Sequence, residues 1–168
     1  MEEENYLIKF RNKIDLILPA YNEEMSINKC IKDFESLQIF KDIIVVDNNS
    51  TDNTKIEVKK TNAKLYNENE QGYGASLIRG LKESKSDYIV TCEPDLTFSY
   101  KDIYKFLIYL DDFDCVFGTR TSKSMIGVGA KMTFYLRYGN ILVAKFLEYL
   151  FNGPTLTDVG CSYKAFKK

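Results

Sequence analysis

The stretch DIIVVDNNSTDNT, residues 42–54, decides the reading of the fold. Its apolar core, Ile43 to Val46, is short and bounded by polar residues, the pattern of a strand buried on both faces of a parallel sheet. The run stops at Asp47-Asn48-Asn49-Ser50, and helical spacing resumes from about Thr54 to Lys60. A buried strand, a polar loop and a helix in succession make half of a βαβ unit.

The same alternation extends in both directions. Upstream, Ile14 to Leu18 is a second apolar run, ended by Pro19. Between the two runs Ile27, Cys30, Ile31, Phe34 and Leu37 recur at helical spacing, which predicts an amphipathic crossover. Downstream, a strand is expected at Lys64 to Tyr66, a helix through Leu77, Ile78 and Leu81, and a strand at Tyr88 to Thr91. Ser99 and Asp102 have the spacing of a capping box ahead of a helix whose apolar face is Ile103, Phe106, Leu107 and Leu110. Cys115 to Gly118 completes five expected strands. The fold class is therefore α/β, an open and mostly parallel sheet with helices on both faces, where ligands sit beyond the carboxyl ends of the strands. The loops at those ends are Tyr21-Asn22-Glu23, Asp47 to Ser50, Glu93-Pro94-Asp95 and Gly118-Thr119-Arg120.

Composition narrows the chemistry. The chain has 168 residues, 45% of them hydrophobic, and reads as a single domain over residues 1–168. With 23 Lys and Arg against 24 Asp and Glu, it offers nucleic acid no general electrostatic attraction, so an anionic ligand must be held locally. There is no His, which removes imidazole bases and His-ligated zinc and leaves acid-base work to carboxylates. The cysteines Cys30, Cys92, Cys115 and Cys161 form no C-x-x-C pair and are expected to be buried free thiols in a reducing cytoplasm. The acidic start, Glu2 to Glu4, lacks the basic-then-apolar pattern of a signal peptide, and no apolar run reaches the ~18 residues of a membrane span. A cytoplasmic location is expected, with peripheral membrane contact left open.

Two nucleotide folds fail on their glycines. A dinucleotide-binding unit places G-x-G-x-x-G after the first strand, yet Pro19 to Glu23 has no glycine, and no P-loop motif is present anywhere.

Four blocks in matching order resemble the family 2 glycosyltransferases, in particular the branch of dolichyl-phosphate and polyprenyl-phosphate sugar synthases. They are Leu18 to Glu24, Val45 to Thr54, Asn69 to Ala75, and Cys92 to Asp95, within a resemblance that covers about residues 13 to 168. It implies a GT-A type catalytic domain that moves a hexose, with inversion, from a nucleoside diphosphate sugar to a polyprenyl phosphate or a glycan hydroxyl. By the same resemblance Pro19, Ala20, Tyr21 and Glu23 line base and ribose. Asp47 accepts hydrogen bonds from a ribose hydroxyl or a base N–H, beside Asn48, where the family usually has a second Asp. Gly72 and Gly74 allow close approach of backbone to ligand, and the helix that follows offers its amino end to phosphate, with Arg79 further along.

Glu93-Pro94-Asp95 resembles the family's D-x-D motif, with Glu in its first position. Two carboxylates this close repel unless a cation intervenes, so Asp95 and Glu93 are the expected ligands of Mg²⁺ or Mn²⁺ bridging to a pyrophosphate. Gly118-Thr119-Arg120 resembles a Gly-Ser-Arg block, which puts Arg120, and with it Arg137, near phosphate or acceptor. Asp158, in the last block, is the expected catalytic base. Family domains usually continue for further elements, so Lys168 is expected to end a truncated chain. A noncatalytic nucleotide-sugar-binding module and a nucleotidyltransferase stay open as alternatives, as do the oligomeric state and a membrane contact along Phe134 to Phe151, for which core packing is the other reading.

Overall fold

The computed structural model describes residues 9–120, 134–153 and 155–168; the acidic start at Glu2 to Glu4 lies outside them. Six strands form one sheet: β1 (Ile14–Ala20), β2 (Phe40–Asp47), β3 (Lys64–Asn67), β4 (Tyr88–Thr91), β5 (Cys115–Phe117) and β6 (Lys164–Lys167). Their order is β3-β2-β1-β4-β6-β5. β1 pairs in parallel with β2 and β4, and β2 with β3, whereas β6 lies antiparallel to β4. The helices are α1 (Ile27–Glu35), α2 (Thr54–Val58), α3 (Tyr73–Glu83), α4 (Ile103–Tyr109) and α5 (Phe134–Phe151), with a 3₁₀ turn at Tyr100–Asp102.

The chain steps outward from β1 to β2 and β3, then returns to place β4 on the other side of β1. That reversal opens a crevice at the carboxyl ends of β1 and β4, where open α/β sheets bind ligands.

Strand alternation assigns the two faces. Ile17, Ile44, Val46 and Ile89 cluster on one face, and Leu77 and Leu81 of α3 pack against them with Tyr66 and Phe166. The intervening Leu16, Leu18, Ile43, Val45 and Val90 point to the opposite face by the two-residue period of a strand. There Ile27, Cys30, Ile31 and Phe34 are the buried stripe of α1. All seven residues of β1 are buried, as a central strand covered on both faces requires. Helix α3 approaches β1 closely at Gly80, where a Cβ would stand 2.4 Å from Cγ2 of Ile17.

One polar residue in β1 is structural. The buried Asp15 carboxylate accepts from Ser84 Oγ (2.7 Å), Lys85 N (3.0 Å), Ser86 N (3.2 Å) and Ser86 Oγ (2.7 Å), so it fixes the turn between α3 and β4. Four donors satisfy a carboxylate fully.

Three expectations need correction. β6 is an additional strand: Lys164-Ala165-Phe166-Lys167 is too short and too basic to announce itself, and it is a strand because Phe166 pairs with Ile89 and Ala165 with Val90. The capping box is half made, since Ser99 Oγ accepts from Lys101 N while Asp102 turns to Lys105. Of the four thiols Cys115 is exposed, because it sits in a three-residue strand, β5, with exposed residues at both ends; the other three are buried.

The described residues divide into two compact units, one holding the chain up to Val116 together with Tyr163–Lys168, the other spanning Phe117–Ser162. Among the described residues no helix is long and apolar enough to cross a membrane.

Candidate functional site

The loops that leave β1 and β2 are stitched to each other. Asn48 N donates to Ala20 O at 2.9 Å where the strands end. Beyond that, Asn22 N donates to Ser50 Oγ (3.0 Å), Glu23 N to Thr54 Oγ1 (2.7 Å), and Glu24 N to Asp52 Oδ2 (3.0 Å). In return Thr51 N donates to Asn22 Oδ1 (2.8 Å) and Asn53 N to Glu24 Oε2 (3.0 Å). Asn22, Glu24, Ser50, Asp52 and Thr54 thus build a rigid frame, which the sequence reading left unassigned. The bonded residues lie 28 to 31 positions apart in the chain, which no local spacing reveals. Against this frame Pro19 and Ala20 are buried at the end of β1, Glu23 is half-buried, and Tyr21 is 53% exposed above it.

Asp47 ends β2 with its side chain wholly buried. Its Oδ2 accepts from Ser50 N at 3.2 Å and faces Lys55 Nζ at 3.2 Å. Its Oδ1 is buried without a hydrogen-bond partner among the described residues. A buried carboxylate oxygen with no donor is costly, so this atom marks a place where a ligand N–H or O–H would be gained.

Asn48 is tied to the loop that follows β3. Its Nδ2 donates to Glu68 O (3.0 Å) and Glu70 O (2.7 Å), and its Oδ1 accepts from Gly72 N (2.7 Å). Asn49 continues the clamp, donating to Asn69 O (3.0 Å) and Gln71 Oε1 (3.1 Å). The amide supplies two N–H donors and an acceptor from one side chain, whereas an ionised Asp has no donor and cannot make the two bonds to carbonyl oxygens. The two asparagines fix the 68–72 loop that leads into α3.

Gly72 stands at the start of α3 with φ +147°, a conformation L side chains rarely adopt. Having no side chain, it leaves the amino end of the helix uncapped. A Cβ at Gly74 would meet no atom within 4 Å, so the first turn borders open space. Helix dipole and backbone N–H groups favour an anion there. Arg79 pairs with Glu83 at 2.9 Å and lies over the Tyr66 ring at 5.8 Å.

After β4, Cys92 N donates to Ile17 O, which carries Glu93 and Asp95 into the crevice beside β1. Pro94 is buried and Glu93 half-buried, while Asp95 is exposed. Asp95 accepts from Thr97 N (2.9 Å) and Thr97 Oγ1 (2.6 Å), one bond to each oxygen, which leaves lone pairs on both. The charges of Asp33, Asp95 and Glu23 all reach the buried Cys30 thiol, and with burial as the main cause they push its pKa up to about 12. No cluster of three or more Cys, Asp or Glu side chains suited to a metal exists among the described residues. A hard cation here would be held by Asp95 and Glu93 and complete its oxygen shell from a diphosphate, and the donor set fits that arrangement.

The unit Phe117–Ser162 holds the other expected residues. Arg120 donates to Asp158 three times: backbone N to Oδ2 (2.9 Å), Nε to Oδ2 (3.1 Å) and Nη2 to Oδ1 (3.4 Å). Gly160 N adds a fourth bond to Oδ1 at 3.0 Å. Burial pushes the Asp158 carboxyl upward, but the Arg120 and backbone donors outweigh it and hold the group below its usual range. Arg137, on α5, lies over the Tyr138 ring at 5.8 Å.

This arrangement of strands and loops has known counterparts. A dolichyl-phosphate hexose transferase of Haloferax volcanii is 27% identical over 155 residues, covering 91% of this chain and 65% of that protein. An undecaprenyl-phosphate 4-deoxy-4-formamido-L-arabinose transferase of Proteus mirabilis is 24% identical over 169 residues, covering 94% of this chain and 49% of that protein. The chain thus spans between about half and two thirds of the length of these relatives. Glucosyl-3-phosphoglycerate synthase of Mycobacterium tuberculosis, solved with Mn²⁺, UDP and glucosyl-3-phosphoglycerate, superposes with a TM-score of 0.75 at 19% identity, over 99% of this chain and 60% of that one. The likeness establishes the GT-A fold. A family model described as glycosyl transferase family 2 matches residues 15–168. The sheet order, the ordered blocks at its carboxyl edge and this match together establish that the chain belongs to glycosyl transferase family 2.

Proposed function

We propose that the chain is the catalytic domain of an enzyme that transfers a hexose from a nucleoside diphosphate sugar to the phosphate of a polyprenyl phosphate, with inversion. The observation that carries the donor half is the buried, partnerless Oδ1 of Asp47 at the end of β2, where a base or ribose donor would pair. Pro19, Ala20, Tyr21 and Glu23 line the nucleotide, and Asn48 holds the loop that brings Gly72 and Gly74 to the diphosphate. Asp95 and Glu93 hold Mg²⁺ or Mn²⁺. When bound, that ion neutralises charge on the departing diphosphate. The names of the two lipid-phosphate relatives support the acceptor.

In the reaction an acceptor phosphate oxygen attacks the anomeric carbon from the face opposite the diphosphate. The new C–O bond forms as the bond to the diphosphate breaks, and the nucleoside diphosphate leaves with the electron pair. An anionic acceptor has no proton to lose, so the step needs no general base, unlike transfer to a glycan hydroxyl. Arg120 and Arg137 attract the acceptor phosphate. Helix α5 exposes Tyr135, Leu142, Phe146, Tyr149 and Phe151, an apolar surface suited to lying along a membrane on its cytoplasmic side, where such lipids reside.

The test is transfer of labelled hexose from UDP-, GDP- and dTDP-sugars to a short-chain isoprenyl phosphate and to a glycan, compared directly. Product on the isoprenyl phosphate supports the reading. Product on the glycan alone, or from sugar 1-phosphate and a nucleoside triphosphate, refutes it.

A further inference from the structure

The carboxylate that the sequence marks as a base is built as a clamp. Every lone-pair direction of Asp158 is taken: Oδ2 by the backbone N and Nε of Arg120, Oδ1 by Arg120 Nη2 and Gly160 N. Its side chain has no exposed surface, whereas Arg120 keeps 30% of its side chain exposed. A base must reach the proton it removes, and an oxygen already surrounded by donors is a weak acceptor. The lowered carboxyl pKa agrees. The guanidinium is instead the accessible partner, fixed along its Nε/Nη2 edge in the fork geometry that suits Arg to carboxylates.

Gly160 tightens the same clamp. A Cβ there would stand 3.0 Å from Arg120 Nη2 and 3.2 Å from Asn140 Oδ1 of α5, so a methyl at this position would push the guanidinium and the amide aside by a few tenths of an ångström. We propose that Asp158 is a positioning residue that acts through Arg120, holding the guanidinium in the orientation that binds the acceptor phosphate, and that it does not serve as the proton acceptor. The inference rests on the lipid-phosphate reading above.

The decisive experiment is steady-state kinetics of the wild-type chain, Asp158→Asn, Gly160→Ala, Arg120→Ala and the double variant Asp158→Asn/Arg120→Ala, with short-chain isoprenyl phosphate as acceptor. Loss of positioning for a bound group raises KM with little change in kcat. Asp158→Asn and Gly160→Ala are expected to raise acceptor KM about 10- to 100-fold, the range seen when a binding group is misplaced, with the pH profile of kcat unmoved. In the Arg120→Ala background Asp158→Asn is expected to add less than about twofold, since the two act as one unit. A kcat loss of about 10²- to 10⁴-fold in Asp158→Asn, with loss of the acidic limb and no parallel effect in Gly160→Ala, is the signature of a base and overturns the inference. A wild-type chain that transfers to no isoprenyl phosphate overturns the activity reading itself, and is told apart because no variant is needed to see it. Circular dichroism of each variant establishes that the comparison is between folded proteins.

Discussion

The backbone N–H of Gly72 donates to Oδ1 of Asn48 at 2.7 Å, so a side chain at the end of β2 fixes the residue that opens α3. The same amide donates to Glu68 O and Glu70 O. The nucleotide loop and the diphosphate helix of the proposed site are therefore one assembly, organised by a residue that sequence resemblance treats as a departure.

Asn48→Asp restores the residue usual in the family, and it is expected to harm this chain. A carboxylate would face two carbonyl oxygens and leave both without donors. Losing the two bonds costs about 0.5–1.5 kcal/mol each. Chemical denaturation should show a clear drop in midpoint, and an unchanged midpoint would show that the 68–72 loop is held by something else.

Gly74→Ala separates fold from function. The added methyl meets no protein atom, and Ala is favoured over Gly in a helix by about 1 kcal/mol. Thermal stability should hold or rise, while nucleotide affinity falls as the methyl intrudes on the diphosphate. Unchanged affinity would remove the first turn of α3 from the site.

The Asp158 clamp predicts a pH signature. Its carboxyl titrates below the usual value in the folded chain, so its contribution to stability is fully present above about pH 4 and is lost as pH falls through the lowered pKa. Melting temperature measured from pH 6 to pH 2 should decline more steeply in wild type than in Asp158→Asn. Asp52 and Glu148 are also held low, and their contributions cancel in that difference.

Thiol chemistry should be selective. Cys30, Cys92 and Cys161 are buried, and Cys30 is pushed up to about 12, which keeps it protonated at pH 8. A disulfide reagent under native conditions should modify Cys115 alone, and Cys115→Ser should abolish the rapid reaction. Rapid labelling of Cys30 would mean that the buried stripe of α1 opens readily.

Local pattern made the central sheet readable. Ile14 to Leu18 and Ile43 to Val46 are buried on both faces and therefore apolar without interruption, and the stripe Ile27, Cys30, Ile31, Phe34 repeats at helical spacing because it packs on that sheet. β6 was not readable, since Phe166 between lysines becomes a strand only through its pairing with Ile89. The site divides the same way. Asp47, Glu93 and Asp95 are picked out by their position, since each is a carboxylate in the polar stretch that closes an apolar strand. The roles of Asn48, Asp52 and Asp158 depend on partners 20 to 38 residues distant, at Glu68, Glu24 and Arg120, which no local spacing reveals.

The central claim, a metal-dependent nucleotide site at the carboxyl edge of β1, β2 and β4, is tested most directly by thermal unfolding. Wild type and Asp95→Asn would be melted with UDP, GDP and dTDP, each with and without Mn²⁺. Ligand at about 100 times its Kd stabilises by about 2.7 kcal/mol, a readily measured shift. The account predicts that one nucleotide raises the melting temperature of wild type only when Mn²⁺ is present, and that Asp95→Asn loses the effect. An equal shift without metal, or in Asp95→Asn, would contradict it.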